Sequence, residues 1–261
     1  MPLLCIDIGN THTHYGVVSN GQALFQRELP TRLIDHPSEG FGPVLERIVA
    51  SHPGLEGAAL CSVVPAATNL LERVFAQRRF ARPVFQLTSD KRLGVPLGYP
   101  KPQEIGQDRL ANAAGAQAFC GAPVIVIDLG TAVTFDIITR SRGYEGGIIA
   151  PGLDVMRRYL HEQTALLPLL DDTLEVSRVI GQSTAEAMRI GTVIGFGGMI
   201  QALLDAVLAE LARRGEAVPK VLATGGATAL LQRTLRHPFT VVPDLTLRGL
   251  AAIWRLNAPP G

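Results

Sequence analysis

Two short loops carry residue types that together could hold phosphate and a cation. Asp7-Ile8-Gly9-Asn10-Thr11 and Asp128-Leu129-Gly130-Thr131 each follow an apolar, strand-like run. A carboxylate at a strand end can hold Mg²⁺ directly or through the waters that this ion retains. Glycine lets backbone approach a ligand, and successive turn N–H groups form an anion-binding concavity. Thr11, Thr13, Thr131 and Thr134 add hydroxyl donors, and His12 lines the first loop. One Asp-x-Gly-x-Thr loop is equally an ordinary tight turn; two in one chain, facing each other across a cleft, make a stronger signal. Thr224-Gly225-Gly226 is a third glycine-rich strand end, suited to a flat nucleobase or ribose against bare backbone.

A second constellation, Gly106-Gln107-Asp108-Arg109, stands near an expected helix start. Phosphoryl transfer to an alcohol needs a group to orient and deprotonate the hydroxyl, which an aspartate can do. Arg109 could hold a substrate carboxylate in a bidentate fork. Read alone, Asp108 is also a helix cap and Arg109 a surface ion-pair partner. His12 and His14 share a strand face, but no third ligand stands at metal spacing. Cys5, Cys61 and Cys120 show no metal spacing either, and Cys5 and Cys61 read as small core hydrophobes.

The elements around these residues repeat. Leu3–Ile6 reads as a buried strand, and Ser19-Asn20-Gly21-Gln22 as a hairpin turn between Tyr15–Val18 and Ala23–Phe25. Pro123–Ile127, Phe135–Ile138 and Tyr144–Ile149, turning at Ser141-Arg142-Gly143, give the same order again. The two aspartates are offset by 128 − 7 = 121 residues, close to half of the 261-residue chain. An internal duplication into two α/β domains, 1–118 and 119–261, accounts for this. Between the copies, Ala58–Val64 and Val84–Leu87 read as strands, Asn69–Gln77 as a helix, and Pro96–Pro102 as a loop. A helix is expected from Glu104–Gly106 onward. Ser183 should open a long helix with an apolar stripe at Val193, Phe196, Ile200, Leu203, Val207 and Leu211. Gly191, Gly195, Gly197 and Gly198 should break it or allow close approach, since glycine costs helix interiors about 0.5–1 kcal/mol.

Composition narrows the classes. A hydrophobic fraction of 47% with 27 glycines suits a packed α/β enzyme. The net charge of +1 gives no electrostatic case for nucleic acid or an anionic membrane. No apolar stretch is read as reaching the ~18 residues that span a bilayer, and no charged-then-apolar leader is expected from the Met1-Pro2 start. A cytoplasmic protein is expected.

These motifs, in this order over nearly the whole length, resemble type III pantothenate kinases of the actin, Hsp70 and sugar-kinase superfamily. The resemblance is carried by the two Asp-x-Gly loops, Cys61-Ser62-Val63-Val64-Pro65, Gly106–Arg109 and Gly146-Gly147-Ile148-Ile149-Ala150-Pro151-Gly152. It continues in Gly181-Gln182-Ser183-Thr184, Ala223-Thr224-Gly225-Gly226 and Pro243–Leu250. It implies two ribonuclease-H-like (actin-like ATPase) domains, each with a mixed sheet, and an ATP cleft between them. It implies transfer of the ATP γ-phosphate to pantothenate, the first step toward coenzyme A, by a homodimer. Asp108 matches the family's general base. Tyr99, Gly106, Gln107, Asp108, Arg109 and Thr184 match its substrate contacts. Asp7, Ile8, Gly9, Asn10, Thr11, His12, Thr13 and His14 match its ATP phosphate loop, and Thr131 a further ATP contact. Residue chemistry alone suits Asp7 and Asp128 equally to Mg²⁺. The resemblance assigns Asp128 to a monovalent cation, K⁺ or NH₄⁺, leaving Asp7 to Mg²⁺ through water. Two positions depart from the family pattern: Lys101 stands where asparagine commonly precedes the proline, and His14 where a smaller or apolar residue is usual. A kinase for another small alcohol, such as a sugar, shares every ATP feature. A pure ATP-dependent switch would need no acceptor groups such as Tyr99, Asp108 and Arg109.

Overall fold

A computed structural model describes residues 2–258. The chain divides into two compact units. The first holds the residues up to Gly121, Arg142–Tyr144 and the chain from Asp244 onward; the second holds Ala122–Ser141 and Glu145–Pro243. The change at 121/122 falls three residues from the sequence boundary. The segment after Asp244 differs, since it joins the first unit rather than the second.

In the first unit, β1 (Leu3–Ile8), β2 (His12–Ser19) and β3 (Gln22–Pro30) are followed by α1 (Phe41–Ser51), β4 (Ala58–Ser62), α2 (Pro65–Gln77), β5 (Val84–Gln86) and α3 (Gln107–Cys120). The sheet runs β3-β2-β1-β4-β5. β2 lies antiparallel to β1, while β4 is parallel to β1 and β5 to β4. Asn20 and Gly21 turn the first hairpin with φ of 51° and 78°, the conformation that Asn-Gly adopts most readily. Leu4, Ile6 and Ile8 alternate onto one face of β1 and bury against Phe41, Leu45 and Ile48 of α1 and Leu71 and Phe75 of α2. Val63 and Val64 fall outside the strand, and α2 begins four residues earlier than the sequence reading. Pro65 opens it at the first helical turn, where a missing N–H costs nothing.

The second unit repeats the plan with β6 (Val124–Leu129), β7 (Ala132–Thr139), β8 (Gly143–Pro151, whose first two residues fall in the first unit), α4 (Leu153–Glu162), α5 (Thr184–Arg213), β9 (Lys220–Thr224), α6 (Thr228–Thr234) and β10 (Thr240–Val241). Its order, β10-β9-β6-β7-β8, is the first sheet's order read from the other end. β6 pairs antiparallel with β7 and parallel with β9, as β1 does with β2 and β4. The duplication read from two loops thus extends to five strands. The last helix, α7 (Leu245–Asn257), packs on α3. The helices meet through glycine: a Cβ on Gly249 would lie 1.8 Å from the Ala111 carbonyl oxygen, and one on Gly115 2.7 Å from that of Leu245.

α5 runs unbroken for 30 residues, so the expected glycine break does not occur. Gly197 does serve close approach, since a Cβ there would meet the Thr234 side chain at 2.7 Å. Val193, Phe196, Ile200, Leu204 and Leu211 bury in the second unit's core, while Gly191, Ile194, Gly195 and Gly198 are exposed. An 18-residue window of α5 has mean hydropathy 1.7, so by length and composition this helix is apolar enough to cross a membrane, with 39% of the window buried. That corrects the expectation that no apolar stretch reaches the ~18 residues that span a bilayer.

Candidate functional site

Asp7 sits on β1 between His14 of β2 and Cys61 of β4. The Cys61 thiol donates to Asp7 Oδ1 at 3.3 Å. Beyond Ile8, the loop closes with Gly9 N–H donating to the His12 carbonyl at 3.1 Å. A Cβ on Gly9 would lie 2.9 Å from that same oxygen, so the turn requires glycine. Asn10, Thr11 and His12 are exposed, whereas Thr13 is fully buried. The Thr13 hydroxyl lies 3.1 Å from that of Thr31, which donates to the Gly9 carbonyl at 2.7 Å. Thr31 N–H also donates to the Thr11 carbonyl at 2.9 Å. His14 Nδ1 lies 3.3 Å from Glu28 Oε2. Burial holds the His14 imidazole below its usual pKa, against the opposing pull of Glu28 and with a smaller push from His12.

α3 begins with Gly106 in extended backbone as its cap residue, so Asp108 lies in the first turn and does not cap. The Gln107 side-chain carbonyl accepts from Ser62 N–H at 2.9 Å, pinning the helix start to the end of β4, the strand beside β1. Asp108 Oδ1 accepts from Arg109 N–H at 2.8 Å. A Cβ on Gly106 would lie 2.5 Å from this oxygen, so glycine makes room for the carboxylate. Burial raises the Asp108 pKa above the usual carboxylate value, and the Arg109 N–H bond and charge act against it. That shift makes the carboxylate a stronger base, in the direction a general base requires. Burial raises the Cys61 thiol as well, and the charges of Asp7 and Asp108 raise it further. One buried thiol therefore senses both carboxylates. Sequence reading treated Cys61 as core filling and did not see this.

Tyr99 belongs to a segment anchored on the short stretch Arg142–Tyr144. Gly98 N–H donates to the Tyr144 carbonyl at 2.9 Å, Tyr144 N–H to that of Pro96 at 2.8 Å, and the two tyrosine rings meet edge to face at 6.3 Å.

In the second unit, Asp128 lies between Thr134 of β7 and Thr224 of β9, the positions that flank Asp7 in the first. Gly130 N–H donates to the Ala132 carbonyl at 3.2 Å, and Gly152 N–H to that of Thr131 at 3.1 Å. A Cβ on Gly152 would lie 2.3 Å from both the Gly130 and Thr131 carbonyl oxygens. Gly225, with φ of +91°, lies against the Leu129 backbone, where a Cβ would come within 2.7 Å. Thr184 is the exposed first residue of α5; Ser183 caps the helix by accepting from Glu186 N–H at 3.2 Å, and Glu186 returns a bond from Gln182 N–H at 2.8 Å.

The first unit thus gathers Asp7, the Gly9–His14 loop, Gln107 and Asp108 around the ends of β1 and β4. The second gathers Asp128, Thr131 and the Thr224–Gly226 turn around the matching ends of β6 and β9. Among the described residues, no group of three or more His, Cys, Asp or Glu could hold a metal. A cation at Asp7 or Asp128 would take carboxylate, water and phosphate oxygens, ligands that suit Mg²⁺ and other hard cations. Thr31 and Gly152 escaped sequence reading as loop supports; the signal was available, since each directly follows a proline that ends a third strand, and 151 − 30 = 121 repeats the loop offset.

Known proteins locate this arrangement. The chain is 44% identical over 257 residues to a type III pantothenate kinase of Akkermansia muciniphila, covering 98% of this chain and 100% of that one. It superposes with a TM-score of 0.58 on a Campylobacter jejuni protein described as a Baf family transcriptional activator, at 18% identity, covering 97% of this chain and 98% of that one. A ROK family glucokinase from Streptomyces griseus, solved with glucose and AMPPNP, gives a TM-score of 0.53 at 17% identity over 98% and 99% of the two chains. The two structural likenesses carry the fold: a pair of actin-like domains. The family model described as type III pantothenate kinase matches residues 3–206, and with the near-full-length relative it decides the matter. The chain belongs to the type III pantothenate kinase family.

Proposed function

We propose that the chain transfers the γ-phosphoryl group of ATP to the terminal hydroxyl of pantothenate, giving 4′-phosphopantothenate on the way to coenzyme A. Family membership supplies the substrate. The observation that carries the chemistry is the Asp108 carboxylate, held in a buried first turn of α3 with its pKa raised, and joined to the Asp7 loop through Gln107, β4 and Cys61. Asp108 accepts the proton of the hydroxyl as its oxygen attacks phosphorus in line. Arg109 takes the pantothenate carboxylate as a bidentate partner, and Tyr99, Gly106, Gln107 and Thr184 complete the acceptor contacts. The backbone of Gly9–His14 receives the ATP phosphates, and Thr131 supplies a further ATP contact. Asp7 would hold Mg²⁺ and Asp128 a monovalent cation, K⁺ or NH₄⁺; bound there, these ions would offset phosphate charge.

The exposed face of α5 at Gly191, Ile194, Gly195 and Gly198, three glycines around one exposed isoleucine, supports a homodimer, because backbones can approach closely at the glycines. Sedimentation at twice the monomer mass is the expected result. Cys5, Cys61 and Cys120 form no disulfide among the described residues, which fits a cytoplasmic location.

The test is a coupled assay of the purified protein with ATP and Mg²⁺, offering pantothenate against a panel of sugars, with and without K⁺. Pantothenate should be the preferred acceptor and K⁺ should raise the rate. Preference for a sugar, or steady ATP hydrolysis indifferent to pantothenate, would overturn the assignment.

A further inference from the structure

We infer that Thr31 is a positioning residue for phosphoryl transfer: its hydroxyl and N–H set the two peptide planes of the first loop that face the ATP phosphates. The inference rests on the reading of Gly9–His14 as the phosphate loop.

Thr31 is 6% exposed and follows the end of β3. Its hydroxyl donates to the Gly9 carbonyl at 2.7 Å, and the buried Thr13 hydroxyl lies 3.1 Å away. Its N–H donates to the Thr11 carbonyl at 2.9 Å. A trans peptide is planar, with C=O and N–H pointing in opposite directions. Fixing the Gly9 carbonyl toward Thr31 therefore turns Asn10 N–H away from it. Fixing the Thr11 carbonyl does the same for His12 N–H. Two donors on alternate peptides are thus aimed to one side of an exposed loop, the arrangement that makes an anion-binding concavity. The second loop repeats one half of the device, since Gly152 N–H holds the Thr131 carbonyl from the equivalent position after β8.

The hydroxyl is the testable part. Thr31→Val keeps the shape and the N–H but removes the donor to Gly9; Thr31→Ser keeps the donor. Thr31→Ala removes it without placing a methyl against the carbonyl, and serves if the valine variant is not recovered folded. For the variants lacking the hydroxyl, KM for ATP should rise at least tenfold and ATP should bind correspondingly more weakly. Adenosine affinity and KM for pantothenate should stay within twofold of the parent, and Thr31→Ser should remain within threefold throughout. A variant that binds ATP and adenosine equally less well, or that loses only thermal stability, would show that Thr31 merely supports the fold. Asp7→Asn separates the two layers of the argument. If it raises KM for ATP while Thr31→Val does not, the positioning role has failed; if neither changes KM for ATP, the phosphate-loop reading has failed.

Discussion

Both units turn from their first strand to their second with a glycine whose N–H is tied to a carbonyl a few residues on, and both brace that turn from the residue after their third strand. The means differ. The first unit uses Thr31, with a hydroxyl and an N–H reaching two carbonyls of a loop that is tight at Gly9. The second uses Gly152, where the brace itself has no room for a side chain and Gly130 is open, with nothing nearer a Cβ than 3.6 Å. The first loop is also one residue longer between its strands, 9–11 against 130–131. The first unit thus has a longer, side-chain-braced turn, and the second a shorter, backbone-packed one. The two helices that pack together in the first unit, α3 and α7, diverge in the same way. Asp108 of α3 keeps a buried carboxylate of raised pKa, while Asp244, which precedes α7, accepts from Ala23 N–H at 3.2 Å and Arg248 Nε at 2.8 Å as a structural anchor. A repeated scaffold leaves room for unequal chemistry when the braces, not the strands, change.

The comparison breaks most visibly at Gly152. Gly152→Ala must push apart two fixed carbonyls, so we expect a loss of about 2–3 kcal/mol of stability and near-complete loss of kinase activity, read by thermal denaturation and the coupled assay. Next, the two aspartates should fail differently. Asp7→Asn should lower kcat/KM for ATP by about 100-fold and retain the K⁺ response. Asp128→Asn should abolish the difference between rates in K⁺ and in Na⁺. Equal behaviour of the two variants would contradict the separate roles. The loop glycines should then reverse the order of the braces: Gly9→Ala should raise KM for ATP by about tenfold, or ~1.4 kcal/mol, and Gly130→Ala should stay within about twofold because 3.6 Å is ordinary van der Waals contact. The smallest effect is on pH. Asp108 must be ionised to accept a proton and its pKa is raised, so kcat should fall as pH drops through that raised value. The acid limb should therefore lie above that of an ordinary carboxylate, and should steepen no further in His14→Gln.

Much of this was legible in the sequence, for identifiable reasons. Asn20-Gly21 can hardly be anything but a hairpin turn, and the Asp-x-Gly loops announce themselves by ending apolar strands. The duplication could be seen from those loops alone, because short-range chemistry repeats at one offset. What escaped depends on contacts distant in sequence. Thr31 reaches Gly9 across 22 residues, Cys61 reaches Asp7 across 54, and α7 returns to α3 from the far end of the chain. No local pattern marks such partners. The break expected at the glycines of α5 failed for a different reason: a helix packed along one side tolerates them, since core burial there outweighs a propensity cost of about 1 kcal/mol each.

The most direct test of the account is the Asp108→Asn variant, with ATP binding measured by calorimetry beside the rate of 4′-phosphopantothenate formation. The account predicts ATP affinity within about twofold of the parent and turnover reduced by roughly 10²–10⁴. A variant that binds ATP normally and still phosphorylates pantothenate at a near-parental rate would contradict it.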